Sequence, residues 1–195
     1  PNSIAQSSGH YQFFRWDEDT DYWIIFGSTG NPEAFTDATF IDGRGYCLTK
    51  TGAGELSFTG TVRTSDLDYE TTYTAAKGEG FNLVGNPFTS TVGITNDATS
   101  TGKFLATNAT LLDDSYEALY IWDEQSGYTG SRNDYKVISN GAISGYTQID
   151  QHYIQPGQAF MVKVASDAAN YNLAFNENML AHATVDFYKN TKELC

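Results

Sequence analysis

Three aspartates at alternate positions form the most chemically suggestive cluster in the sequence. Asp17, Asp19 and Asp21 lie in one acidic run, and alternating carboxylates are ligands that a hard cation such as Ca²⁺ prefers. The run is not an EF-hand loop, because Tyr22 occupies the sixth position, where glycine is needed, and Ser28 occupies the twelfth. A looser calcium site and a solvated hairpin turn are the two interpretations of these residues.

Five aromatic residues flank two acidic turns and have the chemistry to bind sugars. Trp16, Tyr22 and Trp23 surround the first turn, and Trp122 and Tyr128 surround the second. Sugar rings stack on exposed aromatic faces, while nearby Asp and Asn side chains bind hydroxyl groups. The pattern therefore predicts a glycan-binding face. The alternative is that these aromatics are core residues or cross-strand pairs, and Tyr22 and Trp23 are the better ligand candidates.

No catalytic constellation is present in the sequence, and we expect no enzyme activity. The three histidines are scattered and have no metal-ligand spacing, and no Gly-x-Ser-x-Gly motif occurs. Two carboxylates of a glycosidase could come from acidic pairs such as Asp17–Glu18 and Asp123–Glu124. Both pairs, however, occupy strand-to-turn positions that the fold alone explains.

The charge of the chain is strongly negative, with 24 acidic and 11 basic residues and a net charge of −13. Such a surface repels phosphate backbones and anionic lipids, so the sequence predicts neither nucleic-acid binding nor attachment to a membrane. No apolar run approaches the roughly 20 residues that a spanning helix needs, so no membrane insertion is expected.

The composition favours many short strands. Aromatic residues make up 14% of the chain and 18 glycines punctuate it, whereas long helical patterns are missing. Tyr, Trp, Phe and Ile runs on both sides of the first acidic turn predict a hairpin. A short helical turn is expected at residues 103–105. Strands are predicted at residues 11–16, 22–26, 46–50, 56–62, 68–73, 81–84, 116–122, 128–138, 159–164 and 171–175.

The sequence contains an internal repeat whose offset grows slowly, as loop insertions would cause. Residues 14–18 match 120–124, residues 43–48 match 157–162, and residues 56–58 match 173–175. Two related halves follow, at about residues 10–75 and 80–180. The repeat places Trp16 and Trp122 at the same position, which favours a packing role for both.

The boundary between the halves is the stretch of residues 80–88, where an apolar strand ends at Gly85-Asn86-Pro87. This strand opens the second half. Its counterpart in the first half would precede Pro1, which suggests a truncated chain. Residues 1–9 read as a frayed lead-in, and residues 10–190 as a single domain.

Neither half can bury its apolar face alone, so we expect an all-β fold with two packed antiparallel sheets, a jelly-roll-like β-sandwich. Tyr46, Leu48, Phe160 and Val162 are the predicted core residues. Cys47 lies in the same strand pattern and is predicted to be a small core residue. Pairing of Cys47 with Cys195 stays open.

Several motifs in one order resemble a β-sandwich region of large secreted and surface proteins of Bacteroidetes. They include Gly-Phe-Asn-Leu-Val-Gly-Asn-Pro-Phe at residues 80–88, Leu-Tyr-Ile-Trp-Asp at 119–123 and Ile-Gln-Pro-Gly-Gln-Ala-Phe-Met-Val-Lys at 154–163. That region usually lies near the C-terminus, upstream of a type IX secretion sorting domain. The resemblance implies an extracellular or cell-surface location and a modular parent. The usual opening strand is absent and no sorting domain follows Lys192.

The leading functional expectation is a non-catalytic extracellular module for adhesion or glycan binding. The alternative is a structural spacer, or a building block of a surface assembly that docks other chains at exposed strand edges. The expected partner is accordingly a polysaccharide or a protein of the cell surface. Ca²⁺ is the only cofactor that the residues suggest.

Overall fold

The structure is a computed structural model that describes residues 6–7, 10–11, 13–26, 40–48, 59–122 and 135–183. These residues form many short strands and one short α-helix, α1 (Phe104–Asn108). The strands are β1 (Gln6–Ser7), β2 (His10–Tyr11), β3 (Phe13–Asp17), β4 (Tyr22–Ile25), β5 (Cys47–Leu48), β6 (Leu67–Glu70), β7 (Phe81–Gly85), β8 (Thr91–Gly93), β9 (Leu119–Trp122), β10 (Tyr135–Ile138), β11 (Thr147–Gln148), β12 (Tyr153–Ile154), β13 (Ala159–Lys163), β14 (Asn172–Phe175) and β15 (Leu180–Ala181).

The largest sheet has the strand order β11-β10-β9-β13-β7. Smaller sheets have the orders β12-β8-β15, β14-β6 and β4-β3-β5, and β1 pairs with β2. All these strand pairs are antiparallel except β10 with β11, which is parallel. The all-β class with several packed antiparallel sheets is therefore confirmed.

The main core lies between one face of the five-stranded sheet and a second layer made by β14, β8, β12 and α1. Alternation along β13 turns Phe160 and Val162 into this core, both of them almost fully buried. The Phe104 ring contacts Phe160 and Phe175 at centroid distances of 5.5 Å and 5.2 Å. Other members of the core are Val84, Phe88, Val92, Ile94, Leu105, Leu111, Leu112, Leu119, Ile121, Ile138, Ile154, Val164, Leu173 and Met179.

Strand β7 joins the two halves of the chain. On one edge it pairs with β13 along its whole length. On the other edge, Gly45 N donates a hydrogen bond to Leu83 O at 3.0 Å, and Gly85 N donates to Gly43 O at 2.9 Å. The stretch that opens the second half is therefore also a neighbour of the first half, on the edge opposite β13.

The internal repeat recurs in the strand register. Phe14 on β3 is opposite Cys47 on β5, and their sequence equivalents, Tyr120 and Met161, are opposite each other on β9 and β13. The equivalent glycines Gly43 and Gly157 both have a positive φ, of 80° and 69°, a conformation that favours glycine. Residues that match in sequence between the two halves therefore also match in strand pairing and in the backbone conformation of the equivalent glycines.

Most of the predicted strands that fall in the described ranges are present, and most of them are shorter than predicted. The predicted helical turn at residues 103–105 coincides with the start of α1. The sequence predicted no strand between residues 85 and 115, yet this region also contains β8, which pairs with β12 and β15. Of the predicted strand at residues 56–62, residues 56–58 lie outside the described residues, and residues 59–62 form no strand, so the prediction is wrong for that part. Within the predicted lead-in, Gln6–Ser7 pairs with β2.

The prediction that Cys47 is a core residue is wrong, because its side chain is exposed. Side chains alternate along an extended chain, so Tyr46 and Leu48 point the other way and pack, partly buried, against Phe13 and Ile24. These two predicted core residues therefore belong to a small separate cluster. In the described ranges, no helix has the length and apolar character that crossing a membrane requires.

Replacing Gly45 by alanine is expected to lower the free energy of unfolding by about 2 kcal/mol. The added Cβ would lie 2.6 Å from Leu83 Cγ and 2.7 Å from the Val84 carbonyl oxygen, which forces β7 and the first half apart. Gly141→Ala is the matched control, because a Cβ there meets no atom within 4 Å. Urea denaturation followed by tryptophan fluorescence measures both. Equal unfolding midpoints for the two variants would contradict the role given to Gly45.

Candidate functional site

The first acidic turn connects β3 to β4 and has a defined hydrogen-bonded geometry. Asp21 N donates to Asp17 O at 3.0 Å, and Thr20 Oγ1 donates to Asp17 Oδ2 at 2.8 Å. Asp21 has a φ of 62°, a left-handed conformation that aspartate tolerates better than most residues. The acidic residues are therefore suited to the turn itself.

The three aspartates proposed as calcium ligands have different neighbours. Asp17 accepts the hydroxyl of Thr20, and Asp19 Oδ1 accepts the hydroxyl of Thr74 at 2.7 Å. Within the described ranges, no three His, Cys, Asp or Glu residues are arranged to hold a metal ion. The structure gives Asp17 and Asp19 roles in the turn, and calcium binding stays a prediction.

Glu18, in the same turn, is buried, with 4% of its surface exposed. Its Oε1 accepts hydrogen bonds from the backbone N–H groups of Thr74 at 2.7 Å and Gly80 at 2.8 Å. Gly78 N also donates to Glu18 O at 3.0 Å. A Cβ at Gly78 would lie 2.6 Å from Glu18 Cγ, so only glycine fits against this side chain. Glu18 thereby anchors the hairpin to the loop that precedes β7.

The sequence indicated Glu18 only as half of an acidic pair at a strand-to-turn position, and its burial was not predicted. One signal for its burial was available: the Gly-Glu-Gly run at residues 78–80, which marks a backbone that another group approaches closely. Nothing in the spacing, however, indicates which residue that group belongs to. The contact joins positions 62 residues apart, beyond the reach of local patterns.

The aromatic residues of the first hairpin split into an anchored and an exposed set. Trp16 is partly buried, and its Nε1 donates to Phe81 O on β7 at 2.7 Å. Trp23, directly opposite on β4, contacts Trp16 edge to face at a centroid distance of 5.5 Å. The exposed fraction is 41% for Trp23 and 60% for Tyr22. Both preferred ligand candidates are thus accessible.

The second hairpin repeats this arrangement. Trp122 on β9 is directly opposite Tyr135 on β10, and their rings meet edge to face at 5.2 Å. Trp122 is 38% exposed. Tyr135 therefore occupies the cross-strand position that Trp23 occupies in the first hairpin. Tyr128, the fifth aromatic candidate, lies outside the described residues.

Both aromatic pairs border one apolar cluster on the outer face of the five-stranded sheet. We call this the outer cluster; its buried members are Ala118, Tyr120, Val137 and Met161. Trp16 from the first pair and Tyr135 from the second both pack against it. Tyr120, at its centre, contacts the Phe81 ring at 6.0 Å and the Tyr146 ring at 4.8 Å. The structure thus packs one residue of each aromatic pair against the same buried cluster.

One polar group of side chains away from the hairpins has the residue types of a hydrolase active site, but it is not accessible to a substrate. His152 Nδ1 lies 2.7 Å from Thr95 Oγ1, and His152 Nε2 lies 3.5 Å from Asp150 Oδ1. Thr95 is only 1% exposed, so a substrate cannot reach its hydroxyl. Ile94 N also donates to His152 O at 2.8 Å. The group therefore holds the chain after β8 against the chain before β12.

Replacing Glu18 by alanine is expected to destabilise the fold by about 2 to 3 kcal/mol, because two buried N–H groups lose their acceptor. Glu18→Gln keeps an acceptor oxygen of the same reach and is expected to retain most of the stability. Urea unfolding curves of the two variants, read by tryptophan fluorescence, measure the difference. If Glu18→Ala unfolded at the same urea concentration as Glu18→Gln, the carboxylate would not be the anchor of this hairpin.

Comparison with known proteins gives one family assignment. Residues 2–194 match the family model described as Domain of unknown function (DUF8693). No curated protein matches the chain, and no solved structure matches it. The family match spans both halves of the repeat, including both hairpins and strand β7, which joins the halves. The chain therefore belongs to the DUF8693 family.

Proposed function

We propose that this chain is a non-catalytic module of a secreted or cell-surface protein and that it serves adhesion by binding glycans. The observation that carries the proposal is the exposure of Trp23 and Trp122, one indole from each of two equivalent hairpins. An exposed indole beside polar side chains is the recognised chemistry of sugar binding, because C–H edges stack on the ring.

The surroundings of the two indoles support this proposal. Each is held from one edge by an aromatic partner, Trp16 for Trp23 and Tyr135 for Trp122, which leaves part of its surface in solvent. A ring fixed in this way loses little conformational entropy when a ligand stacks on it. The exposed carboxylates of Asp19 and Asp21 lie in the turn next to Tyr22 and are suited to accept sugar hydroxyls.

The extracellular location belongs to the same proposal. It is supported by the motifs at residues 80–88, 119–123 and 154–163, which resemble those of secreted and surface proteins. The net charge of −13 is compatible with a soluble ligand that is uncharged, and it disfavours anionic polysaccharides through repulsion. Neutral glycans are therefore the first ligands to test.

Affinity gel electrophoresis in neutral soluble polysaccharides is expected to show retardation of the chain by at least one polymer. Trp23→Ala and Trp122→Ala are each expected to weaken the interaction about tenfold, the loss of one stacking contact. Val62→Ala is the control, because Val62 is an exposed apolar residue that belongs to neither hairpin. Migration unaffected by every polysaccharide, or an equal loss in Val62→Ala, would overturn the proposal.

A further inference from the structure

Strand β4 is an edge strand in the described part of the chain. It pairs with β3 on one side, and the three-stranded sheet has no described strand beyond it. Natural edge strands are usually protected against pairing by lysine, proline, a bulge or an inward charge. The sequence of β4, Tyr-Trp-Ile-Ile, contains no charged residue and no proline. Within the described residues, this edge therefore carries neither a charge nor a proline that would oppose an added strand.

The direction of the backbone groups of β4 follows from its register. Phe26 N donates to Phe13 O at 2.9 Å, and hydrogen-bonded and non-hydrogen-bonded pairs alternate in an antiparallel ladder. Phe26 therefore belongs to a hydrogen-bonded pair. Trp23 and Ile25 are each an odd number of positions from Phe26, so they belong to non-hydrogen-bonded pairs. Their N–H and C=O groups point away from β3. Two donors and two acceptors therefore face outward, as a strand-adding peptide requires.

The side chains around this edge indicate which peptide would fit. Tyr22 and Trp23 are exposed and give an added strand an apolar contact. The acidic turn continues directly from the edge, with Asp19 and Asp21 both exposed. Asp19 Oδ1 already accepts the hydroxyl of Thr74, so Asp21, which directly precedes Tyr22, is the carboxylate that an added strand meets first and that attracts a positively charged side chain. A second copy of the chain is disfavoured, because each copy carries a net charge of −13.

We propose that β4 docks an extended, lysine- or arginine-rich segment of another protein, which adds as a strand beside Trp23 and Ile25. The backbone groups of β4 supply the hydrogen bonds, and the acidic turn selects the positive charge. Peptide and glycan binding would share Tyr22, Trp23 and the acidic turn, but only peptide binding uses the outward backbone groups of Ile25.

The test uses a fluorescent peptide of about ten residues in which lysine and valine alternate, added to the full chain at physiological salt. We expect binding with one-to-one stoichiometry and slower hydrogen exchange of the Trp23 and Ile25 amides. A peptide of the same length with glutamate in place of lysine is expected not to bind. Protection spread over the whole surface, or binding of several peptides to each chain, would show general attraction to an acidic protein and overturn the proposal.

Ile25→Pro is the decisive variant, because it removes an outward N–H without breaking a bond to β3. It is expected to weaken binding of the lysine peptide about fivefold, the effect of losing one hydrogen bond. Ile25→Ala keeps the N–H and is expected to bind like the original chain. Equal affinities of Ile25→Pro and Ile25→Ala would overturn the proposal. Circular dichroism checks that both variants fold.

Asp21→Asn tests the role of the charge, since asparagine also accepts the left-handed conformation found there. It is expected to weaken peptide binding two- to threefold at physiological salt, and the difference is expected to vanish at high salt. Asp97→Asn, an exposed aspartate in the loop after β8, is the matched control. Equal weakening by both substitutions would assign the attraction to net charge and overturn the site.

Two further readouts separate this proposal from its alternatives. Glycan retardation should be unchanged in Ile25→Pro, because the indoles of Trp23 and Trp122 stay in place. Failure of glycan binding in the original chain therefore leaves the peptide result intact, and the reverse also holds. A monomer–dimer equilibrium in sedimentation that disappears in Ile25→Pro would show that the occupant of the edge is a second copy, and would overturn the assignment to a basic peptide.

Discussion

Strand β7 is hydrogen-bonded along both edges, and the arrangement of the two halves depends on it. One edge is occupied by β13. On the other edge, the carbonyl of Phe81 accepts from Trp16, that of Leu83 accepts from Gly45, and the N–H of Gly85 donates to Gly43. Buried backbone groups must find partners, and these three groups of β7 find them in the other half of the chain. The two halves therefore fold around one shared strand.

This shared strand also fixes the register of its neighbours. Val84 points into the main core and Leu83 packs against the outer cluster. A slip of one residue would exchange these two faces, placing Leu83 in the main core and Val84 outside. With both edges paired, such a slip would have to break the bonds to β13 and to the first half together. Two independent sets of contacts thus specify the same register.

The position of the first hairpin is set by buried contacts and not by its exposed aromatics. Glu18 binds the loop before β7, where Ala76 and Glu79 have positive φ angles of 60° and 49°. Such angles are unfavourable for these residue types, so the loop depends on what surrounds it, and Glu18 supplies two of its hydrogen bonds. Tyr22 and Trp23 lie on the opposite strand of the hairpin. Their exposed surfaces are not needed to hold the hairpin in place.

Part of this could be predicted from the sequence, because it depends on local patterns. Alternation predicted that Phe160 and Val162 are buried on one face, and the aromatic runs around an acidic turn predicted the β3–β4 hairpin. The burial of Glu18 could not be predicted, since its partners come from a distant loop. Cys47 was placed wrongly for a related reason: the alternation was visible, but the face that other elements cover was not. Short strands such as β8 carry too few residues for a periodic signal.

Trp16 and Trp122 occupy equivalent positions of the repeat and share the same ring pairing, but they differ in exposure. Both are matched in sequence, and both pair edge to face with an aromatic residue directly opposite. Trp16 is nonetheless drawn against β7 by its bond to Phe81, so in the first pair the more exposed ring is its partner Trp23. In the second pair the exposed ring is Trp122 itself. Pairing follows from the local sequence, whereas exposure depends on which element lies next to the pair. The accessible indoles therefore occupy non-equivalent strands, and a ligand that contacts both meets two different surfaces and not two copies of one site.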